Sequence, residues 1–190
     1  MNVYDFDGTL YNGDSSIDFY FFSLKKKHTI IRYVPKQAAG FLLYALRQIN
    51  KKELKERFFC FLCEIDGEQY AEEFWRKNSK KIRTWYLGRQ CPDDTVISAS
   101  PEFLLQPICR SLGIKHLIAS SVQITTGRFL GENCYGIEKL RRWKEASNNS
   151  VIDYFYSDSY SDEPLALFAK NAFLLQNGVL KPWKTRSKTM

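Results

Sequence analysis

Tyr4-Asp5-Phe6-Asp7-Gly8-Thr9-Leu10 stands near the start of this 190-residue chain, directly after Asn2-Val3. Residues 2–6 read as a short strand that ends in the turn Asp7-Gly8-Thr9, with a carboxylate on either side of Phe6. Strand side chains alternate faces, so Asp5 and Asp7 approach one centre while Phe6 packs away. Carboxylates held that close repel, and a divalent cation is the usual remedy. Magnesium suits the turn, because it takes a few carboxylate oxygens and completes its shell with water and phosphate.

A second acidic pair stands at another strand end. Residues 150–156 read as a strand, and Ser157-Asp158-Ser159-Tyr160-Ser161-Asp162 follows it at once. Alone, that segment reads equally well as a helix cap. Beside the first pair it becomes a metal site, with Asp158 completing the shell and Asp162, one helical turn on, binding or orienting it. A third strand, Thr95-Val96-Ile97, runs into Ser98-Ala99-Ser100-Pro101. The Ser98 hydroxyl and the amides of Ala99 and Ser100 at a helix start offer neutral donors to phosphoryl oxygens. Ser100 is the alternative to Ser98, which sits nearer the strand end. Lys139, three residues after Gly136 and near the start of a helix over 137–146, can neutralise the same oxygens. By itself it would be an ordinary exposed helix lysine.

Outward from these points, residues 115–119 read as a strand, 122–134 as a small hairpin around Gly127 and Gly131, 164–169 as a helix and 172–175 as a last strand. Strands alternating with helices predict an α/β fold with a Rossmann-like parallel sheet and a site at the carboxyl ends of the strands. Residues 14–90 are helical in pattern throughout. Ile17, Phe21 and Leu24 mark one stripe; Ile31, Val34, Ala38, Leu42 and Leu46 mark another; breaks fall at Asn50 and Gly67. The division expected is an α/β core over 1–13 and 91–180, an inserted all-helical cap over 14–90, and a basic tail over 181–190.

The net charge of +7 suits anionic partners. Aromatic residues interleave with the basic helices, which also fits a cationic binding module without turnover. The acidic strand ends would repel a nucleic-acid backbone, so no nucleic acid is expected. Five cysteines, an odd number set mostly among apolar neighbours, read as reduced core residues of a cytoplasmic protein. Cys60 and Cys63 form a CxxC within an apolar helical stretch, without a second pair to complete a zinc site. No signal peptide is expected, and the apolar run 38–46 is too short to span a bilayer. Lys25, Lys26, Lys27, Arg32, Lys36, Arg47, Lys51 and Lys52 flank that run. The simpler expectation is that its stripe packs the cap against the core; the alternative is an interfacial helix on an anionic membrane surface.

In order, Asp5-Phe6-Asp7-Gly8-Thr9, Ser98, Lys139 and Asp158 to Asp162 resemble the four motifs of the haloacid dehalogenase-like phosphatase superfamily, in its phosphoserine-phosphatase-like subgroup. The resemblance covers almost the whole chain, including a helical cap between the first two motifs. It implies roles. Asp5 attacks phosphorus and becomes an aspartyl phosphate; Asp7 protonates the leaving oxygen and then deprotonates the attacking water. Magnesium lies between the Asp5 carboxylate, the Asp7 carbonyl and Asp158, while Ser98, Ala99 and Lys139 hold the phosphate. The implied substrate is a small phosphorylated metabolite. Phosphoserine would need a carboxylate for its ammonium and an arginine for its carboxylate, for which Asp14 and Arg57 are the candidates. Residues 98–105, 136–140 and 156–165 are also similar to bacterial phosphatidylglycerophosphate phosphatases, which keeps a lipid phosphate in view.

Overall fold

The structure, a computed structural model, describes residues 1–184. Strand β1 (Asn2–Tyr4) is buried between two parallel neighbours, β2 (Thr95–Pro101) and β4 (Ile152–Ser157). With β3 (His116–Ser120), β5 (Ala169–Gln176) and β6 (Val179–Pro182) it forms a six-stranded sheet in the order β3-β2-β1-β4-β5-β6. All pairings are parallel except β5 with β6. The Rossmann-like α/β sheet expected from the alternating pattern is therefore present. The chain leaves β1 toward β2 and β3 and later returns on its other side at β4, which opens a crevice at the carboxyl ends of β1 and its neighbours.

The alternation of β1 decides how the layers stack. Val3 faces one layer with Ile97, Phe155, Ile152 and Trp143, closed by α7 (Ile137–Ala146) and α8 (Glu163–Phe168). Tyr4 faces the other, where Val96 and Tyr156 meet α6 (Glu102–Ser111) and the inserted helices. There the Tyr4 and Tyr156 rings stack at 4.9 Å between centroids.

The insertion contains α1 (Ser15–Lys26), α2 (Val34–Ala45), α3 (Lys51–Phe58), α4 (Gly67–Asn78) and α5 (Thr84–Leu87). Its breaks have local causes. Asp14 caps α1 by accepting from the Ile17 amide, Asn50 and Glu53 form a reciprocal capping box on α3, and Asp66 caps α4 through the Gln69 amide. The last third of the insertion shares the core of the sheet. Trp75 on α4 crosses Phe6 edge-on, its indole N–H donates to the Leu104 carbonyl, and Trp85 and Tyr86 flank Tyr4.

Several expectations are corrected. β2 continues irregularly through Ser98, Ala99 and Ser100, so α6 begins at Glu102 and those amides do not open a helix. The segment 122–134 makes only a minimal hairpin, one antiparallel bridge of Val122 with Phe129 flanked by the Gln123–Arg128 and Leu130–Ser121 backbone bonds. Lys181 and Pro182 belong to β6, while positions 185–190 of the expected tail lie outside the described residues. The largest departure is α2, where only Gln37 and Gly40 are buried. Its stripe faces solvent, with Leu42 62% and Leu46 58% exposed, and does not pack the insertion against the core. Among the described residues no helix is long and apolar enough to cross a membrane. All five cysteines are free; Cys63 and Cys91 are exposed and not core residues.

Candidate active site

Asp5 leaves β1 one residue past the last ladder pair, its amide bonded to the Tyr156 carbonyl of β4. The neighbouring strand ends bring Ser157 level with it and Ser98 one residue beyond. The helix α7 starts at Gly136, whose φ of +59° is a conformation glycine adopts without strain, and so aims Lys139 inward. Lys139 is not an exposed helix lysine. It is 2% exposed, and its ammonium donates to Asp5 Oδ1 and to Asp162 Oδ2, each at 2.7 Å. The Ser157 hydroxyl adds a bond to the same Asp162 oxygen at 2.8 Å. Burial pulls an ammonium toward neutrality, but the two carboxylates outweigh it and hold Lys139 above its ordinary value. Burial raises the Asp5 carboxyl to about 7, with Lys139 opposing the shift.

Asp7 is fixed by a different set of groups. Its Oδ1 accepts from the Ser15 amide at 2.6 Å, at the N-terminus of α1, and its Oδ2 accepts from the Ser100 hydroxyl at 2.5 Å. Burial, then the charge of Asp14, raise Asp7 to about 6 against the pull of those bonds. Asp5 and Asp7 are thus held by separate partners, one against a cation and one among neutral donors, which pushes them toward separate tasks. The Ser98 hydroxyl is buried below the loop and accepts from the Ser100 amide. The Ser100 hydroxyl is already committed to Asp7, so Ser98 keeps the better claim to a phosphoryl oxygen.

One cleft of about 390 Å³ is lined by Asp5, Asp7, Asp14, Ser98, Ala99, Lys139 and Asp162 among others. Two expected residues lie elsewhere. Arg57 packs its stem against Gly40 on α2 and lines a separate groove with Lys36, Glu53 and Arg128, because α3 turns that face away. Asp158 lies over Gly8, where any Cβ would collide with its carboxylate, and opens onto a second depression with Arg83 and the β5–β6 turn. Gly8, at φ +73°, is what lets the two loops approach. Asp14 does reach the cleft, but one of its oxygens is spent on capping α1.

Among the described residues no three His, Cys, Asp or Glu side chains are grouped as a preformed metal cage. The expected shell of Asp5, Asp7, Asp158 and Asp162 is interrupted by Lys139 between Asp5 and Asp162 and by the turning of Asp158. The donors present are nonetheless all oxygens, and Asp162 Oδ1 is buried without a hydrogen-bond partner. A buried carboxylate oxygen left unpaired is costly, and a hard cation is the partner that suits it.

A family model describing haloacid dehalogenase-like hydrolases matches residues 3–167. The chain belongs to that family. This haloacid dehalogenase-like hydrolase is 26% identical to a histidinol-phosphatase of Neisseria meningitidis over 194 residues, 87% of this chain and 85% of that protein. A probable phosphatase of Mycobacterium tuberculosis is 38% identical over 80 residues, which is 38% of this chain and 28% of that protein's length. Among solved structures, a Bordetella pertussis protein of unknown function superposes with a TM-score of 0.74 at 20% identity, covering 90% of this chain and 87% of that one. A phosphoserine phosphatase held as a phospho-aspartyl intermediate analogue superposes at 0.52 with 15% identity, over 90% and 83%. At those identities the likeness is one of fold.

Sequence reasoning missed Lys55. Its ammonium reaches from α3 to the Ala99 carbonyl at 2.6 Å and to Asn133 Oδ1 at 3.1 Å, tying the insertion to the loop after Ile97. Ser120 bonds the same carbonyl and the same asparagine oxygen. Burial, reinforced by Lys51, lowers Lys55 to about 8. Helical spacing was the available signal: Lys51, Leu54, Lys55 and Phe58 share one face of α3 and all line the cleft, whereas Arg57 does not.

Proposed function

We propose that this hydrolase cleaves phosphate monoesters through an aspartyl phosphate on Asp5. The observation that carries the reading is the Lys139 ammonium held between Asp5 and Asp162, beside an Asp7 with its own donors. Lys139 engages one oxygen of Asp5 and leaves the other to attack phosphorus in line with the leaving group. Asp7, raised toward neutrality, gives its proton to the leaving oxygen as the P–O bond breaks. Then, as a carboxylate, it takes a proton from the water that attacks the aspartyl phosphate, releasing phosphate and restoring Asp5. Lys139, the Ser98 hydroxyl and the Ala99 amide stabilise the equatorial oxygens.

Magnesium is the cofactor of this reading, with Asp5, the Asp7 carbonyl and Asp158 as its holders and Asp162 behind them. Bound there, it would supply positive charge to offset the negative charge of the carboxylates and of the phosphoryl group. The strand-end core over 1–13 and 91–180 carries the chemistry, and the insertion over 14–90 covers it as a cap. A small phosphorylated metabolite is the substrate class; phosphoserine is disfavoured by the placement of Arg57.

A cytoplasmic enzyme that works at an anionic membrane surface is a second reading, favoured by one observation. Ile31, Phe41, Leu42 and Leu46 are exposed on and beside α2, amid the flanking lysines and arginines. Sedimentation with anionic vesicles, weakened by salt and by Leu42→Asp, supports it; protein remaining in the supernatant excludes it. Hydrolysis of a generic aryl phosphate in magnesium, abolished by chelator, tests the main reading. Absence of turnover on every phosphomonoester tried would leave a cationic binding module in its place.

A further inference from the structure

We propose that the cap side of the cleft takes a phosphomonoester with an apolar body, an inference that rests on the phosphatase reading for the position of the phosphate. The cleft is sharply divided. The strand ends and α7 contribute Asp5, Asp7, Ser98 and Lys139 to its lining, whereas the inserted helices contribute an apolar wall of Ile17, Phe41, Leu54, Phe58 and Phe59, together with Asp14, Lys51 and Lys55, and Tyr135 joins them from outside the insertion. That wall is contiguous with solvent: Ile17 is 48% and Phe41 54% exposed, while Phe59 behind them is buried. Among the described residues nothing covers this apolar wall, which faces a phosphate site.

The charged groups along this wall are each partly committed to the protein. Lys55 donates to Ala99 and Asn133, Lys51 sits on the Tyr135 ring at 3.4 Å, and Asp14 caps α1. A zwitterionic leaving group such as that of phosphoserine would lose hydration against Phe58 and Phe59 without a matched pair of charges to replace it. An alkyl or aryl group loses nothing there and gains by leaving water. The remaining N–H of Lys55 sits beside the phosphate loop and suits an oxygen close to the ester, such as a glycerol or acyl oxygen.

The experiment measures binding of n-alkylphosphonates of increasing length to the full chain, and turnover of the matching n-alkyl phosphates. Each buried methylene is worth about 0.8 kcal/mol, so affinity should rise about fourfold per methylene until the wall is covered. Phe41→Ser and Leu54→Ser should flatten that slope. A flat series, or tighter binding of the O-phosphoserine phosphonate analogue than of butylphosphonate, overturns the inference whatever the turnover. A rising binding series with no turnover of any ester upholds it and overturns the catalytic reading instead. The source of the apolar body is read from the long end. A plateau at short chains points to soluble esters, and a continued rise to a lysophosphatidate in mixed micelles points to lipids.

Discussion

Lys139→Met keeps the apolar stem of the side chain and removes the ammonium that joins Asp5 to Asp162. Both bonds are 2.7 Å, and the three groups are 2%, 8% and 1% exposed. Deleting one partner of a buried ion pair typically costs about 3–5 kcal/mol, since the charge left behind is neither hydrated nor paired. Here two carboxylates would be left facing each other, so the upper part of that range is expected, and the loss has a definite pH dependence. Asp5 already stands at about 7 in the folded protein, and without Lys139 it must rise further. A carboxyl raised on folding contributes stability that is fully present below its unfolded value and lost as pH rises through its folded value. Below about pH 7 Asp5 is protonated in both proteins, so the deficit of the variant should be smallest there and grow as pH rises above about 7, by about 1.4 kcal/mol per pH unit for the proton the variant keeps. Urea unfolding in chelator, followed by tryptophan fluorescence, measures it. A variant within about 0.5 kcal/mol of the parent near pH 8, or a deficit that grows on acidification, would refute the pairing. In magnesium the same change should lower kcat by about a hundredfold or more, and a change in KM alone would make Lys139 a binding contact.

Asp7, at about 6, loses its acid form as pH rises through that value, so hydrolysis of alkyl phosphates should slow about tenfold per pH unit above it relative to nitrophenyl phosphate. Asp7→Asn should depress the alkyl esters more, and equal loss on both would remove the proton-donor role. Activity should vanish in chelator, Asp158→Ala should shift the magnesium requirement upward, and beryllofluoride should inhibit; full activity in excess chelator contradicts the site. Lys55, lowered to about 8, loses its charge above that pH, so kcat/KM should fall there in the parent and hold to higher pH in Lys55→Arg. A flat parental profile through about pH 9 would detach Lys55 from the substrate.

What could be read from the sequence was whatever a strand end dictates. Asp5 and Ser98 follow runs of apolar residues that have one way to lie in a buried sheet, and Asp162 stands one turn past the end of a third such run, so their convergence follows from topology. Lys139 was legible by position but not by burial, because only the turn at Gly136 shows that its face points inward. The cap was harder. Lys55 and Arg57 are two residues apart on a helix, which places them on different faces, and a helix rich in cations does not declare which one meets the site. Asp158 was legible as a strand-end residue but not in its orientation: its carboxylate lies over Gly8, where only a residue without a Cβ leaves it room. The stripe of α2 has the periodicity of a packed helix, yet the pattern is silent about whether a partner exists. β6 is a four-residue edge strand carrying Lys181 and Pro182, which are features that mask an edge from pattern reading as they mask it from pairing.

Acid quenching during turnover, followed by mass analysis of the peptide containing Asp5, tests the central claim most directly. One phosphoryl group is expected on Asp5, labile to hydroxylamine as an acyl phosphate is, and absent from Asp5→Asn. In that variant Lys139 keeps its Asp162 partner, so the fold should survive while turnover is lost. A folded Asp5→Asn protein that still hydrolyses phosphate esters would contradict it.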